Sequence, residues 1–168
     1  GSTDVHATYG DTNGDWGYLV ETVQRSAQGF KDIDRSNRNS GFDISDYVGK
    51  LRWQGDRQSV TAKLQYSEET SNSTYVGLTD ADFNQDPNRR YGLSSPDQMD
   101  NTHSGVSLTH QFEWSDNVSS TTTLYRNDFK RNWYKLSGAG NIIDQANAGD
   151  ANAQGILDGT VDTSGLNY

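Results

Sequence analysis

The chain has 168 residues, of which 31% are hydrophobic, at a mean hydropathy of −0.92; that is sparse material for the core of a soluble domain of this length. Its net charge of −9 and pI near 4.6 argue against a nucleic-acid partner, because phosphate binding needs clustered Lys and Arg to release counterions. The absence of cysteine excludes disulfides, thiolate nucleophiles and Cys-based zinc sites, while 9 Tyr, 5 Phe and 4 Trp argue against a disordered chain.

No run of about 18 apolar residues occurs, so no transmembrane helix is expected, and the first residues lack a signal-peptide pattern. A barrel strand needs only about ten residues with one apolar face. Six segments fit that description. In chain order, residues 3–10 place Val5, Ala7 and Tyr9 on one side, and residues 16–26 form a second, weaker case after the turn Asp11 to Asp15. Residues 43–54 alternate Tyr47, Gly49, Leu51 and Trp53 with Val48, Lys50, Arg52 and Gln54. In 58–67, Val60, Ala62, Leu64 and Tyr66 alternate with Ser59, Thr61, Lys63 and Gln65. Residues 104–114 set Val106, Leu108, His110, Phe112 and Trp114 against Ser107, Thr109, Gln111 and Glu113, and 118–130 is rich in Thr and aromatics. Period two is the signature of a strand with unlike faces.

The connections alternate between tight turns (Asp11–Asp15, Gly55–Gln58, Ser115–Asn117) and long loops (26–46, 67–103, 131–168). All long loops therefore fall at one end of an up-and-down sheet, the arrangement of outer-membrane barrels. Polar strand faces then line a wet lumen, and apolar faces form a lipid belt with Tyr47, Trp53, Tyr66 and Trp114 near its edges. A soluble β-sandwich with one buried face also fits the alternation, but it gives no reason for the loop asymmetry.

Within 67–103, Thr79 is placed to cap a short helix over Asp80, Ala81, Asp82 and Phe83, with Pro87 ending it. Gly138 to Tyr168 reads as an extended loop with a helical turn over Asp144 to Leu157. Asp11-Thr-Asn-Gly-Asp15 has alternating oxygen ligands but no bidentate Glu at calcium-loop spacing, so a hairpin turn explains it better; for Asp80, Asp82, Asn84 and Asp86 a helix start does. His6, His103 and His110 are too scattered for a local metal motif, and no Ser has a nucleophile-elbow context. Glu68 and Glu69, adjacent on a strand, point to opposite faces and cannot flank one glycosidic bond. No enzyme is expected, and neither a cofactor nor a protein-held metal.

The run Tyr66-Ser-Glu-Glu-Thr-Ser-Asn-Ser-Thr-Tyr75, followed by Gly77-Leu-Thr-Asp-Ala-Asp-Phe83 and Asn88-Arg-Arg-Tyr91, resembles barrel segments of TonB-dependent outer-membrane receptors of the ferric-dicitrate type. Asp97-Gln-Met-Asp-Asn101, Asn127-Asp-Phe-Lys-Arg-Asn-Trp-Tyr-Lys-Leu136, Gln28-Gly-Phe-Lys-Asp32 and Gly41-Phe-Asp-Ile-Ser-Asp-Tyr47 are similar to the same family. The resemblance spans essentially the whole chain. It implies all-β architecture, with these strands forming part of a 22-stranded barrel in the outer membrane of a Gram-negative bacterium. It also implies uptake of a ferric chelate driven through the TonB complex, with the remaining barrel strands and outer-membrane lipid as partners. No plug segment is present in the sequence, so the chain is expected to be one piece of a receptor. Arg89, Arg90 and Tyr91, with Arg131, Trp133, Tyr134 and Lys135 at the start of the last loop, are the expected ligand contacts, since Arg binds carboxylates bidentately and aromatics cover a bulky chelate. The competing reading is a soluble or surface-attached β-rich module that binds carbohydrate or mediates adhesion.

Overall fold

The computed structural model describes residues 1–161. Its elements are β1 (Ser2–Asn13), β2 (Trp16–Ala27), β3 (Asp32–Ile33), β4 (Phe42–Gln54), β5 (Gln58–Ser71), α1 (Asp80–Gln85), β6 (Arg89–Arg90), a 3-10 turn (Gly92–Ser94), β7 (Gln98–Ser115), β8 (Val118–Tyr134), α2 (Ala139–Asn147) and α3 (Ala151–Asp158). The six long strands form one antiparallel sheet in the order β1-β2-β4-β5-β7-β8, so every neighbour in space is the next long strand in sequence. Among the described residues the sheet is open, with β1 and β8 as its edges.

Tight turns close the hairpins at one end. In the first, Gly14 takes the positive φ of 58° that L side chains avoid. The strands run further toward the long connections than the alternation marks. β5 continues to Ser71 and β7 begins at Gln98. β8 extends to Tyr134, where Gln98 pairs with it, and this corrects the expected start of the last loop: Arg131, Trp133 and Tyr134 lie on a strand. Hydrophobic alternation stops near residue 130 because both faces meet polar surroundings there, while the ladder hydrogen bonds, which carry no sequence signature, continue. The 18 residues of β7 reach about 60 Å.

Among the described residues, neither face of the sheet is covered by another layer. The buried core lies in a crown built from the long connections. There Val76, Tyr91, Leu93, Leu136, Ala139 and Leu157 pack together, with Leu78, Ile142, Ile143 and Ala146 around them. Three devices shape this crown. Thr79 caps α1 and accepts a hydrogen bond from the Asp82 amide, as its spacing predicts. Asp150 caps α3 by accepting from the amides of Asn152 and Ala153, and Gly159 ends it in the left-handed conformation (φ 71°). Asp97, fully buried, accepts from the amides of Tyr75 (2.9 Å) and Leu136 (2.8 Å), tying together the crown ends of β5, β7 and β8. The stretch expected as an extended loop holds two helices, α2 and α3, on either side of residues 148–150. Their apolar positions are too few to announce a helix alone but enough to fill the crown's core. The end of that stretch, residues 162–168, lies outside the described residues.

Candidate functional site

Register assigns each face its side chains. One face carries Val5, Ala7 and Tyr9 on β1; Trp16, Tyr18 and Val20 on β2; Tyr47, Gly49, Leu51 and Trp53 on β4; Val60, Ala62, Leu64 and Tyr66 on β5; and Val106, Leu108, His110 and Phe112 on β7. Much of this set is open to solvent: Tyr9, Trp16, Val20, Leu64 and Val106 are all more than half exposed. A contiguous apolar surface of this extent on a protein marks contact with a partner or with lipid.

From β2 onward the apolar set runs across the sheet in step with the ladder. Tyr18 on β2 pairs with Leu51, Leu51 with Ala62 and Ala62 with Leu108, each within its strand's set, and only on β1 does the set sit further toward the long connections, around Ala7, which pairs with Thr22. On β8 the Tyr18 row reaches Leu124, while Arg126, in the row of Val106 and Leu64, is charged and paired with Asp128 at 2.9 Å.

The opposite face is polar. Asp4 pairs with Arg25 at 3.3 Å, and Glu21 lies 3.0 Å from His6. The hydrogen bond from His6, followed by that from Thr8, holds the Glu21 carboxyl below its usual range. His103 packs edge-on against Phe129 on this face, whereas His110, on the apolar face, is hydrogen-bonded to Gln58 (3.1 Å). Among the described residues no group of three or more His, Cys, Asp or Glu side chains is placed to hold a metal ion. Asp11 and Asn13 belong to the β1 ladder.

The seven residues singled out from sequence divide among three places. Arg89 and Tyr91 lie inside the crown. Arg89 reaches Asp34 (2.8 Å), Asp82 (2.9 Å) and Asp158 (2.7 Å), one carboxylate from each long connection. Hydrogen bonding to Asp34, working against burial, raises the guanidinium's pKa above its already high ordinary value. Burial alone would raise the Asp82 carboxyl, but hydrogen bonds from Tyr91 (2.6 Å), Gln154 (3.1 Å) and Thr79, with the Arg89 charge, outweigh it and hold the carboxyl low. The guanidinium's donors are thus engaged within the protein. Arg90 turns to the carbonyls of Pro87 (2.9 Å) and Arg89 (2.5 Å), and its β6 backbone pairs in parallel with β3.

The second place is the polar face at the crown end of β8. Phe129, Arg131 and Trp133 line up there by alternation. Arg131 donates to Asn101 (2.9 Å) and lies over the Phe129 ring. Lys135, just past the strand, stands 4.0 Å from the Tyr75 ring centre and 4.4 Å from that of Trp133, and the two rings meet edge-to-face. Two cations, Arg131 exposed and Lys135 half-buried, therefore stand against three exposed rings along one line of β8 and its continuation. Tyr75 and Phe129 were not predicted; strand parity marks Phe129 once β8 is extended, but nothing in the sequence marks Tyr75. Tyr134 is in the third place, on the opposite face of β8.

Comparison of the chain with protein-family models, with curated proteins and with solved structures finds no match. The likeness to TonB-dependent receptors therefore rests on the sequence runs quoted above. No helix is long and apolar enough to cross a membrane, a fact that has no bearing on a β-barrel.

Proposed function

We propose that this chain is a sector of the wall of an outer-membrane β-barrel whose crown helps to capture a solute, most like a TonB-dependent receptor for a ferric chelate. The observation that carries the reading is the apolar face that continues from β1 to β7, much of it exposed, in a sheet whose long connections all lie at one end. A sandwich would bury such a face against a second sheet. The unpaired edges of β1 and β8 fit a sheet continued by further strands, 22 in all in the receptor family, since long open edges invite association. In this reading the chain does no covalent chemistry, and its partners are outer-membrane lipid, the rest of the barrel and, through the plug, the TonB complex.

The ladder of Tyr75, Phe129, Arg131, Trp133 and Lys135 is the better candidate for ligand capture, because its rings are exposed and its cations face the polar side. Arg89 and Tyr91 serve instead to hold the crown together. The test is detergent dependence. The purified chain is expected to require detergent to remain dispersed and to bind a micelle; a monodisperse monomer in plain buffer would refute the belt.

A further inference from the structure

On the polar face of β7, Gly105 interrupts the row of side chains between Gln65 on β5 and Asn127 on β8, its direct ladder partners. Glycine inside a strand weakens it and often marks a place where a ligand comes close to the backbone. Here the two neighbouring amides lean into the gap: a Cβ on Gly105 would lie 2.7 Å from Asn127 Oδ1 and 2.7 Å from Gln65 Nε2. The next row toward the tight turns holds Lys63, Ser107 and Tyr125, again direct partners. Together the two rows line a cleft of about 180 Å³. Among the described residues, the side chains of Gln65, Ser107 and Asn127 have no hydrogen-bond partner. Tyr125 is 75% exposed, on the face turned away from the apolar belt, so contact with lipid does not account for its ring.

We propose that this cleft binds one ring of a neutral saccharide, with Tyr125 as its platform and Gln65, Asn127 and Ser107 as its hydrogen-bonding rim. The chemistry of the rim decides the ligand's charge. Each primary amide, like the hydroxyl, both donates and accepts, so a ligand that satisfies them must do both. Sugar hydroxyls do. An anion engages the donors alone and leaves the amide oxygens of Gln65 and Asn127 facing negative charge, and a cation meets the Lys63 ammonium. The phenol supplies the other half of the match, since one side of a pyranose presents C–H groups that pack on an aromatic face. The cleft is smaller than the about 300–1,000 Å³ of sites for drug-sized ligands, which limits it to a single ring, free or within a chain. Tyr125 stands about 27 Å from Trp133 along the same face of β8, so the site is separate from the cations and rings at the crown. It requires only that the polar face meet water, so it goes beyond the membrane reading and does not depend on it.

The experiment uses the whole chain, in plain buffer or in a detergent without a sugar headgroup. The probes are the methyl glycosides of glucose, galactose and mannose, with sorbitol, a blocked neutral dipeptide and citrate as controls. Wild type is expected to bind at least one glycoside saturably in calorimetry, at least tenfold tighter than any control and without dependence on salt. Tyr125→Ala is expected to abolish binding, whereas Tyr125→Phe keeps it within about threefold; at 75% exposure neither change disturbs the fold. Gly105→Ala, whose Cβ meets only flexible side chains, displaces both amides and is expected to weaken binding at least tenfold with the circular dichroism of the sheet unchanged. Lys130→Gln, on the opposite face, leaves binding as it is. The proposal is overturned if no glycoside binds saturably, if Tyr125→Ala or Gly105→Ala binds as wild type does, or if any control solute binds as tightly as the glycosides.

Discussion

Arg89→Ala is expected to loosen the crown while sparing the sheet. The guanidinium contacts three carboxylates at 2.7–2.9 Å, with side-chain exposures of 24% for Arg89 and 23%, 13% and 35% for Asp34, Asp82 and Asp158. Exposed pairs contribute about 0.2–1 kcal/mol each, and breaking a fully buried pair costs about 3–5 kcal/mol. Intermediate burial places each contact near 1 kcal/mol, so the truncation costs about 3 kcal/mol, or roughly a hundredfold in the equilibrium for opening the crown. Because Asp34, Asp82 and Asp158 come from different connections, all three should open together. Native-state hydrogen exchange reads this directly. Amides of α2, α3 and the 72–97 connection are expected to exchange about a hundredfold faster, and amides of the β4–β5 ladder at the wild-type rate. Unchanged exchange in the crown, or equal acceleration in the sheet, would refute the account of Arg89 as the crown's shared tie.

The same network gives the crown an acid limit. Asp82 is held below its ordinary pKa in the folded protein, so its contribution is complete above the unfolded value of about 4 and is lost as pH falls through the lower folded value; crown exchange should therefore quicken below about pH 4, and Asp82→Asn should flatten that response. Leu64→Lys, at a half-exposed belt position, is expected to cost about 2–4 kcal/mol of assembly in a bilayer, read as lost heat-resistant folded protein in membrane fractions; a change within about 0.5 kcal/mol, normal for a soluble surface, would count against the belt. Trp133→Ala together with Lys135→Gln should weaken ferric-chelate binding at least tenfold in fluorescence titrations, while Arg90→Ala leaves it within twofold; the reverse order would return the ligand site to the 89–91 segment. Thr79→Ala removes the α1 cap and should cost about 1 kcal/mol, measured as a local rise in exchange over residues 80–85.

The sheet was legible wherever its two faces meet unlike surroundings. Val60 to Tyr66 alternate because one side is apolar and the other wet, and the tight turns announce themselves through Gly14, Gly55 and Asn117. Beyond the belt the signal disappears for a physical reason: Arg131, Asn132, Trp133 and Tyr134 are held by ladder hydrogen bonds, which any residue but proline can make. The Thr79 cap was readable because capping is local chemistry. The Arg89 network was not, since its partners at 34, 82 and 158 are brought together only by the tertiary fold. Arg89 in sequence is an available cation, and only the structure shows it engaged. Strand parity separates Trp133 from Tyr134, which sequence had grouped, and adds Phe129.

Because two of the long connections share one small core and all three share one guanidinium, they form a unit of exchange. A graft that replaces the 72–97 connection alone removes Val76, Asp82, Arg89 and Tyr91 together, leaving Asp34 and Asp158 without their cation and Leu157 without its packing. Diversification of this crown, natural or engineered, must therefore proceed by matched changes across all three connections, or be confined to residues such as Trp133 that stand outside their shared core.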